Sequence, residues 1–269
     1  MTTEPLVTIW VTSTGRACAV QCVQETVRQC KYPNYRMLIF ESQPDNPHGT
    51  LDAFYALDCE KRIWLGDYPP LGFIYNLFAD NSDRFIQRLD DDCWPACDPS
   101  DHWRDAIALL QAQPLNRPLS HVATEMNPRV CANPDVPAMK ADPTLVGIVR
   151  EGPFGPLALY RDPSGISLMD RQFMLPWNET CHWRQTELYH ILLARQCRHL
   201  TAYMLRWWGC IGHFDALAVD GIDRTQQAAA YAMYRDNGYF GRRPADTVMT
   251  AFVGENLPMA PQERSESHV

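Results

Sequence analysis

The chain has 269 residues, of which 46% are hydrophobic and 21% are charged, and its formal net charge is −8. These values are typical of a globular protein with one large domain and a sizeable core. They disfavour a dedicated nucleic-acid-binding protein, which would usually be basic, and no apolar stretch is long enough to span a bilayer.

Short apolar runs alternate with amphipathic segments in the first third of the chain. Such alternation predicts β-α-β units, in which neighbouring strands run parallel and are joined by a right-handed crossover. The predicted elements are a strand at 6–11, a helix at 17–30, a strand at 36–40, a short helix at 51–57, a strand at 62–65, a helix at 71–79 and a strand at 84–89.

Each of the four predicted strands ends at its carboxyl side in small polar or acidic residues. Ligands of open α/β sheets bind in the crevice beyond these carboxyl ends. The sequence therefore predicts a single site at this edge of the sheet. The side chains expected to converge on it are Thr12, Ser13, Thr14, Glu41, Asp67 and the run Asp90-Asp91-Asp92.

The run Asp90-Asp91-Asp92 directly follows the fourth predicted strand. Adjacent carboxylates repel one another and resist desolvation, so three of them at the tip of a buried strand call for a counter-ion. Carboxylate oxygens are the ligands that Mg²⁺ and Mn²⁺ prefer, which makes a divalent metal the natural partner. A solvated acidic turn is the alternative, and the position at the end of a strand favours the metal site.

The second half of the chain is less regular. Residues 115–144 are rich in proline and asparagine, which predicts a long irregular connection with one short strand at 121–124. The remaining predicted elements are a helix at 100–113, strands at 145–150 and 156–161, a loop at 174–179, a helix at 182–197, a strand at 201–205, a helix at 225–236 and a disordered tail at 258–269.

The chain contains ten cysteines, which lack the paired short spacing of a zinc site. Residues 1–5 are largely polar and lead into only a short apolar run, unlike a signal peptide. We therefore expect a cytoplasmic protein whose thiols are reduced.

In the order of these elements, residues 6–214 resemble the GT-A-fold, family-2-like glycosyltransferases of the nucleotide-diphospho-sugar transferase superfamily. The features that carry the resemblance are a polar turn ending in Arg16, an acid closing the second strand (Glu41), a helix segment from Gly72 to Asn76, and the Asp-x-Asp motif of Asp90 and Asp92. The resemblance implies an α/β, Rossmann-like fold. Its mixed, mostly parallel central sheet would be flanked by helices and followed by an acceptor-side region and a C-terminal helix.

The same resemblance divides the chain into three parts. Residues 1–99 would form the nucleotide-sugar-binding half, which ends in the Asp-x-Asp motif. Residues 100–223 would form the acceptor-binding, catalytic half of the same domain, and residues 224–269 would supply a C-terminal helix and the tail. The Gln-x-x-Arg-Trp signature of processive polysaccharide synthases is absent from the sequence.

The reaction implied by the resemblance is transfer of a sugar from a nucleoside diphosphate sugar, a UDP-sugar above all, to an acceptor hydroxyl with inversion. The expected cofactor is Mn²⁺ or Mg²⁺, which acts as a Lewis acid on the diphosphate leaving group. The sequence does not name the acceptor, and a glycan, a lipid-linked sugar, a protein side chain and a modified nucleobase are all compatible with it.

The resemblance also assigns roles to single residues. Asp92 would be the principal metal ligand, with Asp90 and Asp91 supporting it near the nucleotide and His213 completing the metal shell. Glu187, near the start of a late helix, would be the general base that deprotonates the acceptor, and Glu179 is the substitute candidate. The residues expected to bind the nucleotide sugar are Thr12, Thr14, Arg16, Glu41, Asn76, Asp90 and Asp91.

Two other functions stay open at this point. A nucleotidyltransferase also holds metal ions with acidic residues on an α/β sheet, although residues 12–16 contain a single glycine and a single arginine rather than a glycine-rich basic loop. A catalytically inactive domain that binds nucleotide or glycan is the second alternative. Release of UDP, release of pyrophosphate and the lack of any product distinguish the three functions.

Overall fold

The computed structural model describes residues 4–46, 48–91, 93–95, 98–123, 145–163, 166–181, 183–204 and 211–213. These residues form a nine-stranded sheet, a two-stranded sheet and five α-helices. The strands are β1 (Val7–Ser13), β2 (Tyr35–Glu41), β3 (Lys61–Leu65), β4 (Phe85–Asp90), β5 (Cys93–Pro95), β6 (Leu119–Ala123), β7 (Leu145–Val149), β8 (Leu157–Tyr160), β9 (Ser167–Asp170), β10 (Leu200–Met204) and β11 (Ile211–His213). The helices are α1 (Ala17–Gln29), α2 (Thr50–Tyr55), α3 (Leu71–Asp80), α4 (Ser100–Ala112) and α5 (Trp183–Gln196), and a 3₁₀ turn spans Arg171–Phe173.

The large sheet has the strand order β3-β2-β1-β4-β9-β6-β10-β8-β7. Strands β1 to β4 are parallel, so their carboxyl ends share one edge of the sheet, as the sequence predicts. β9 runs antiparallel to β4 and β6, and β8 runs antiparallel to β7 and β10, whereas β6 and β10 are parallel. The predicted α/β fold, with a mixed central sheet flanked by helices, is confirmed.

Strand β9 is absent from the predicted elements although it lies in the middle of the sheet. It has only four residues, Ser-Leu-Met-Asp, without a β-branched or aromatic side chain to indicate a strand. It pairs with β4, where Gln87 lies opposite Leu168 and Phe85 lies opposite Asp170. The antiparallel pairing of β5 with β11 is likewise not predicted.

The other predicted elements within the described residues begin and end within two residues of the observed ones. The predicted helix at 225–236, the tail at 258–269 and residues 124–144 of the irregular connection lie outside the described residues. The large sheet takes strands from both residues 1–99 and residues 100–223, and the three-part division of the chain stays a prediction. In the part of the chain that the structure describes, no helix is both long and apolar enough to cross a membrane.

Apolar side chains cover both faces of the sheet around β1. Val7, Ile9 and Val11 face a layer that includes α1 and α4, whereas Trp10 points to the opposite face and packs against α3. This alternation is the two-residue period of a strand that is buried on both faces. Each of these fully buried aliphatic side chains contributes about 1.5–3 kcal/mol to the stability of the fold.

Trp10 fixes the position of α3 against the sheet. Its ring stacks on Tyr75 with the ring centroids 5.9 Å apart, and it also contacts Phe78, with a centroid distance of 5.6 Å. Its Nε1 donates a 2.7 Å hydrogen bond to Ser82 Oγ, just beyond the end of the helix. The placement of α3 matters for the site described below because this helix carries Tyr75 and Asn76.

Replacing Ser82 with alanine tests this anchor. In Ser82→Ala the Trp10 Nε1 stays buried without its acceptor, so we expect the free energy of unfolding to fall by about 1–3 kcal/mol. Urea denaturation measures the change. The matched control is Asp58→Ala, which alters an exposed side chain and should change stability by no more than about 0.5 kcal/mol. Equal midpoints for the two variants would contradict the anchor.

Candidate functional site

The strand registers bring the predicted polar residues to one edge of the sheet. Thr12 on β1 lies directly opposite Asp90 on β4, and Ser13 lies opposite Glu41 on β2. The convergence expected from the sequence is therefore present for β1, β2 and β4.

Asp91 ties the turn after β1 to the turn after β4. Its Oδ2 accepts hydrogen bonds from Thr14 N at 3.1 Å, Thr14 Oγ1 at 2.9 Å and Arg16 Nε at 3.1 Å, and its Oδ1 pairs with Arg16 Nη2. These three residues were all expected to bind the donor, and they bind one another. Both carboxylate oxygens accept hydrogen bonds, and through them Asp91 shapes the turn.

Glu41 is fully buried at the end of β2. Its carboxylate accepts hydrogen bonds from Ser13 Oγ at 2.7 Å, Thr50 Oγ1 at 2.9 Å and Gln43 N at 2.8 Å. These bonds fix the start of the loop between β2 and α2. The Gln43 side chain then lies across Gly15, where an added Cβ would come within 3 Å of it, and Gly15 has a positive φ of 74°.

Arg88 lies two residues before Asp90, on the same face of β4. Its Nη2 donates to Asp90 Oδ1 at 3.2 Å and also pairs with Glu187 Oε1 on α5. The guanidinium lies over the rings of Tyr75 and Trp177, 4.9 and 6.0 Å from their centroids. Burial opposes its charge, but Tyr75 and the two carboxylates raise the pKa of Arg88, so it stays protonated.

The amide of Asn76 holds the loop at 174–181 against α3. Its Oδ1 accepts from Trp177 N at 3.1 Å, and its Nδ2 donates to Trp177 O at 3.0 Å and to Glu179 Oε1 at 3.1 Å. Asn76 is expected from the sequence to bind the donor, whereas its amide groups are engaged by this loop. Gly72, one turn earlier, lets the loop approach, because a Cβ there would lie 1.9 Å from Asn178 O.

Two neutral histidines lie beside Arg88. The His190 ring stacks on Trp177 with 3.8 Å between centroids, and the His121 ring lies 5.6 Å from that of His190. Burial, reinforced by the charge of Arg88, lowers the pKa of His190 to about 3. Burial, reinforced by the neighbouring His190 and His199, holds the pKa of His121 well below its usual range. Neither histidine therefore adds positive charge beside Arg88 at neutral pH.

The structure describes only some of the predicted metal ligands. The Asp90 side chain is 38% exposed, and apart from its bond to Arg88 it has no partner among the described residues, so Oδ2 suits a cation. Asp92 and the side chain of His213 lie outside the described part of the chain, although the His213 backbone pairs with Cys93. No group of three potential metal-ligating side chains occurs among the residues that the structure describes.

Sequence reasoning assigns no role to Arg88 or His190, which lie at the centre of the site. The signal for Arg88 was present, because a charged residue inside an apolar strand run must find a partner when the strand is buried. Its partner Glu187 is 99 residues away in sequence, and no local pattern links the two. His190 carries no comparable signal, since an isolated histidine in a helix is usually a packed or surface group.

No protein-family model matches the chain, and no curated protein matches its sequence. Solved structures do match. Residues 1–349 of TarS from S. aureus align with a TM-score of 0.54 and 10% identity, covering 90% of this chain and 74% of that one. The same TarS fragment in complex with UDP gives a TM-score of 0.51 at 10% identity, covering 89% and 73%. A longer S. aureus TarS structure gives 0.50 at 10% identity, covering 90% of this chain and 44% of that chain.

TarS is a family-2-like glycosyltransferase with the GT-A fold. Because the match extends over about nine-tenths of this chain, the GT-A fold expected from the order of elements is confirmed. An identity of 10% establishes the fold alone and assigns no role to any residue.

The Asn76 contacts predict a specific dependence of the 174–181 loop on this residue. In Asn76→Ala three hydrogen bonds are lost, each contributing about 0.5–1.5 kcal/mol, so we expect the Trp177 amide to exchange with solvent at least about tenfold faster. Hydrogen–deuterium exchange measures this rate.

The control is Asn81→Ala at the other end of α3. Asn81 donates from Nδ2 to Leu77 O and accepts from Arg62 Nη1, so its loss disturbs the same helix without touching the loop. Equal protection of Trp177 in both variants would show that Asn76 does not hold the loop.

Proposed function

We propose that the chain is a glycosyltransferase that moves a sugar from a nucleoside diphosphate sugar, a UDP-sugar, to an acceptor hydroxyl. One observation carries the proposal: Asp90 at the end of β4 and Glu187 on α5 meet at the same buried arginine, at the carboxyl edge of a GT-A sheet. Support comes from TarS, which has the same fold and was crystallised with UDP.

Glu187 is proposed as the general base. Its Oε1 is held by Arg88, while the side chain is 35% exposed and has no other partner among the described residues. Oε2 can therefore accept the proton of the acceptor hydroxyl as that oxygen attacks the anomeric carbon. The bond from the anomeric carbon to the diphosphate oxygen breaks, its electron pair leaves with UDP, and the configuration inverts.

Asp90 and Asp92 are proposed to hold Mn²⁺ or Mg²⁺, with His213 as a further ligand. A bound divalent ion would neutralise the charge that develops on the diphosphate. The free Oδ2 of Asp90 supports this assignment, as does the pairing of the His213 backbone with Cys93, the residue that follows Asp92. Asp91 is not included, because its oxygens bond to Thr14 and Arg16.

The other predicted donor residues are proposed to shape the nucleotide pocket. Thr14, Arg16 and Asp91 set the turn after β1, and Glu41 sets the loop after β2. The 174–181 loop, held by Asn76, is proposed to face the acceptor and carries Glu179 as the substitute base. The identity of the acceptor and the cytoplasmic location stay predictions.

Metal dependence is tested with purified protein, a panel of UDP-sugars and Mn²⁺. We expect UDP release that EDTA stops, and Asp92→Ala should abolish turnover while the circular dichroism spectrum is retained. Asp83→Ala serves as the control, because it removes one exposed acid at the opposite end of β4. Full activity of Asp92→Ala in EDTA would contradict the metal assignment. Pyrophosphate release from UTP and a sugar 1-phosphate in a separate reaction would indicate a nucleotidyltransferase, and no product from any substrate would indicate a binding domain.

The base assignment is tested with Glu187→Gln. The glutamine amide cannot take up the proton of the acceptor hydroxyl, so kcat should fall about 10²–10⁴-fold. UDP affinity, measured by calorimetry, should stay near that of the wild type. Glu151→Gln, an exposed acid on the turn before β8, should leave both quantities unchanged. If kcat of Glu187→Gln equals that of the wild type, the base lies elsewhere, and Glu179→Gln is the next variant to measure.

A further inference from the structure

Arg88 joins the donor side of the candidate site to its acceptor side. One nitrogen, Nη2, bonds to both Asp90 Oδ1 and Glu187 Oε1, which come from different elements. We infer that Arg88 is the positioning residue that aligns Glu187 with the donor bound beside Asp90. The inference rests on the proposed function, and it assigns to Arg88 a role that acts through Glu187 rather than on the substrate.

The guanidinium can act in this way because it is itself held firmly. Arg88 is on a central strand, its side chain is only 5% exposed, and the rings of Tyr75 and Trp177 lie on it. Glu187, by contrast, is on a helix surface with a flexible side chain, whose ordering costs up to about 2 kcal/mol of conformational entropy. The bond to a fixed partner selects one orientation of the carboxylate.

A purely stabilising role explains the arrangement less well. Burying an ion pair is often no better for stability than an apolar residue of similar volume. Arg88 Nε is buried without a hydrogen-bond partner among the described residues, so the guanidinium is not placed to satisfy all of its donors. Its bonds go to two carboxylates that are each more than one-third exposed, at the rim of the site.

Another arginine on the same chain segment shows the contrast. Arg84, just before β4, pairs with Asp170 through Nε at 3.1 Å and Nη2 at 2.7 Å, and Asp170 is fully buried. That pair lies at the opposite end of the strand from Asp90 and connects β4 to β9. It makes Arg84→Met a matched control, since that variant also removes an ion pair of β4 without reaching the site.

The experiment compares Arg88→Met, Arg88→Lys and Arg84→Met by steady-state kinetics with a UDP-sugar and an acceptor, and by calorimetry with UDP. We expect Arg88→Met to lower kcat about 10²-fold, because misplacement of a catalytic group by about 1 Å has that effect. UDP affinity should change far less. Arg88→Lys should recover part of kcat, since an ammonium keeps the charge but lacks the planar fork. Arg84→Met should retain the kcat of the wild type.

A double variant separates positioning from a general loss of structure. If Arg88 acts through Glu187, Arg88→Met combined with Glu187→Gln should be no slower than Glu187→Gln alone. Multiplicative losses, or wild-type kcat in Arg88→Met, would overturn the inference. Should Arg88→Met fail to fold, Arg88→Lys decides the question, because it keeps the buried charge: a lowered kcat with unchanged UDP affinity supports the role and wild-type kcat overturns it.

A wild-type protein that turns over no donor would contradict the proposed function itself, and this outcome is distinct from an active wild type with an unaffected Arg88 variant. If the wild type is inactive, thermal unfolding tests whether Arg88 orders the Glu187 side chain. Non-additive shifts in Tm for Arg88→Lys and Glu187→Gln support it, and additive shifts overturn it.

Discussion

The register of β4 is the constraint on which the candidate site depends. Its side chains alternate, so that Leu89 enters the layer with α4 while Arg88 and Asp90 face α3 and α5. A slip of one residue in this register would point Arg88 into an apolar core and turn Asp90 away from the crevice. Pairing with β1 on one side and with β9 on the other holds this register in place.

Helix α3 connects the sheet to the 174–181 loop. One face of the helix packs on β1 through Tyr75 and Trp10, and Asn76 holds the loop on its other side. Trp177 from that loop reaches back into the same cluster, where its ring centroid lies 4.6 Å from that of Tyr75. Sheet, helix and loop thus share one aromatic cluster, and Arg88 lies within it.

The sequence predicts β1, β2 and β4 well because strands buried on both faces read as apolar runs, and their polar ends mark one edge. It does not predict β9, whose four residues gain their strand conformation from neighbours on both sides. The pairing of Asn76 with Trp177, 101 residues apart, and the bonds that occupy Asp91 depend on tertiary contacts that no local pattern encodes. The roles assigned to these residues by resemblance therefore stay predictions, whereas the fold is confirmed.

The close approach of Gly72 to Asn178 determines which positions of the 174–181 loop can be substituted. The backbone path of the loop is fixed by contacts to Asn76 and by the missing side chain of Gly72, so the path tolerates little change. Glu179 and Thr180 are exposed at the turn of the loop. Exchanges of these two outward side chains would therefore alter the surface of the loop without changing its backbone path.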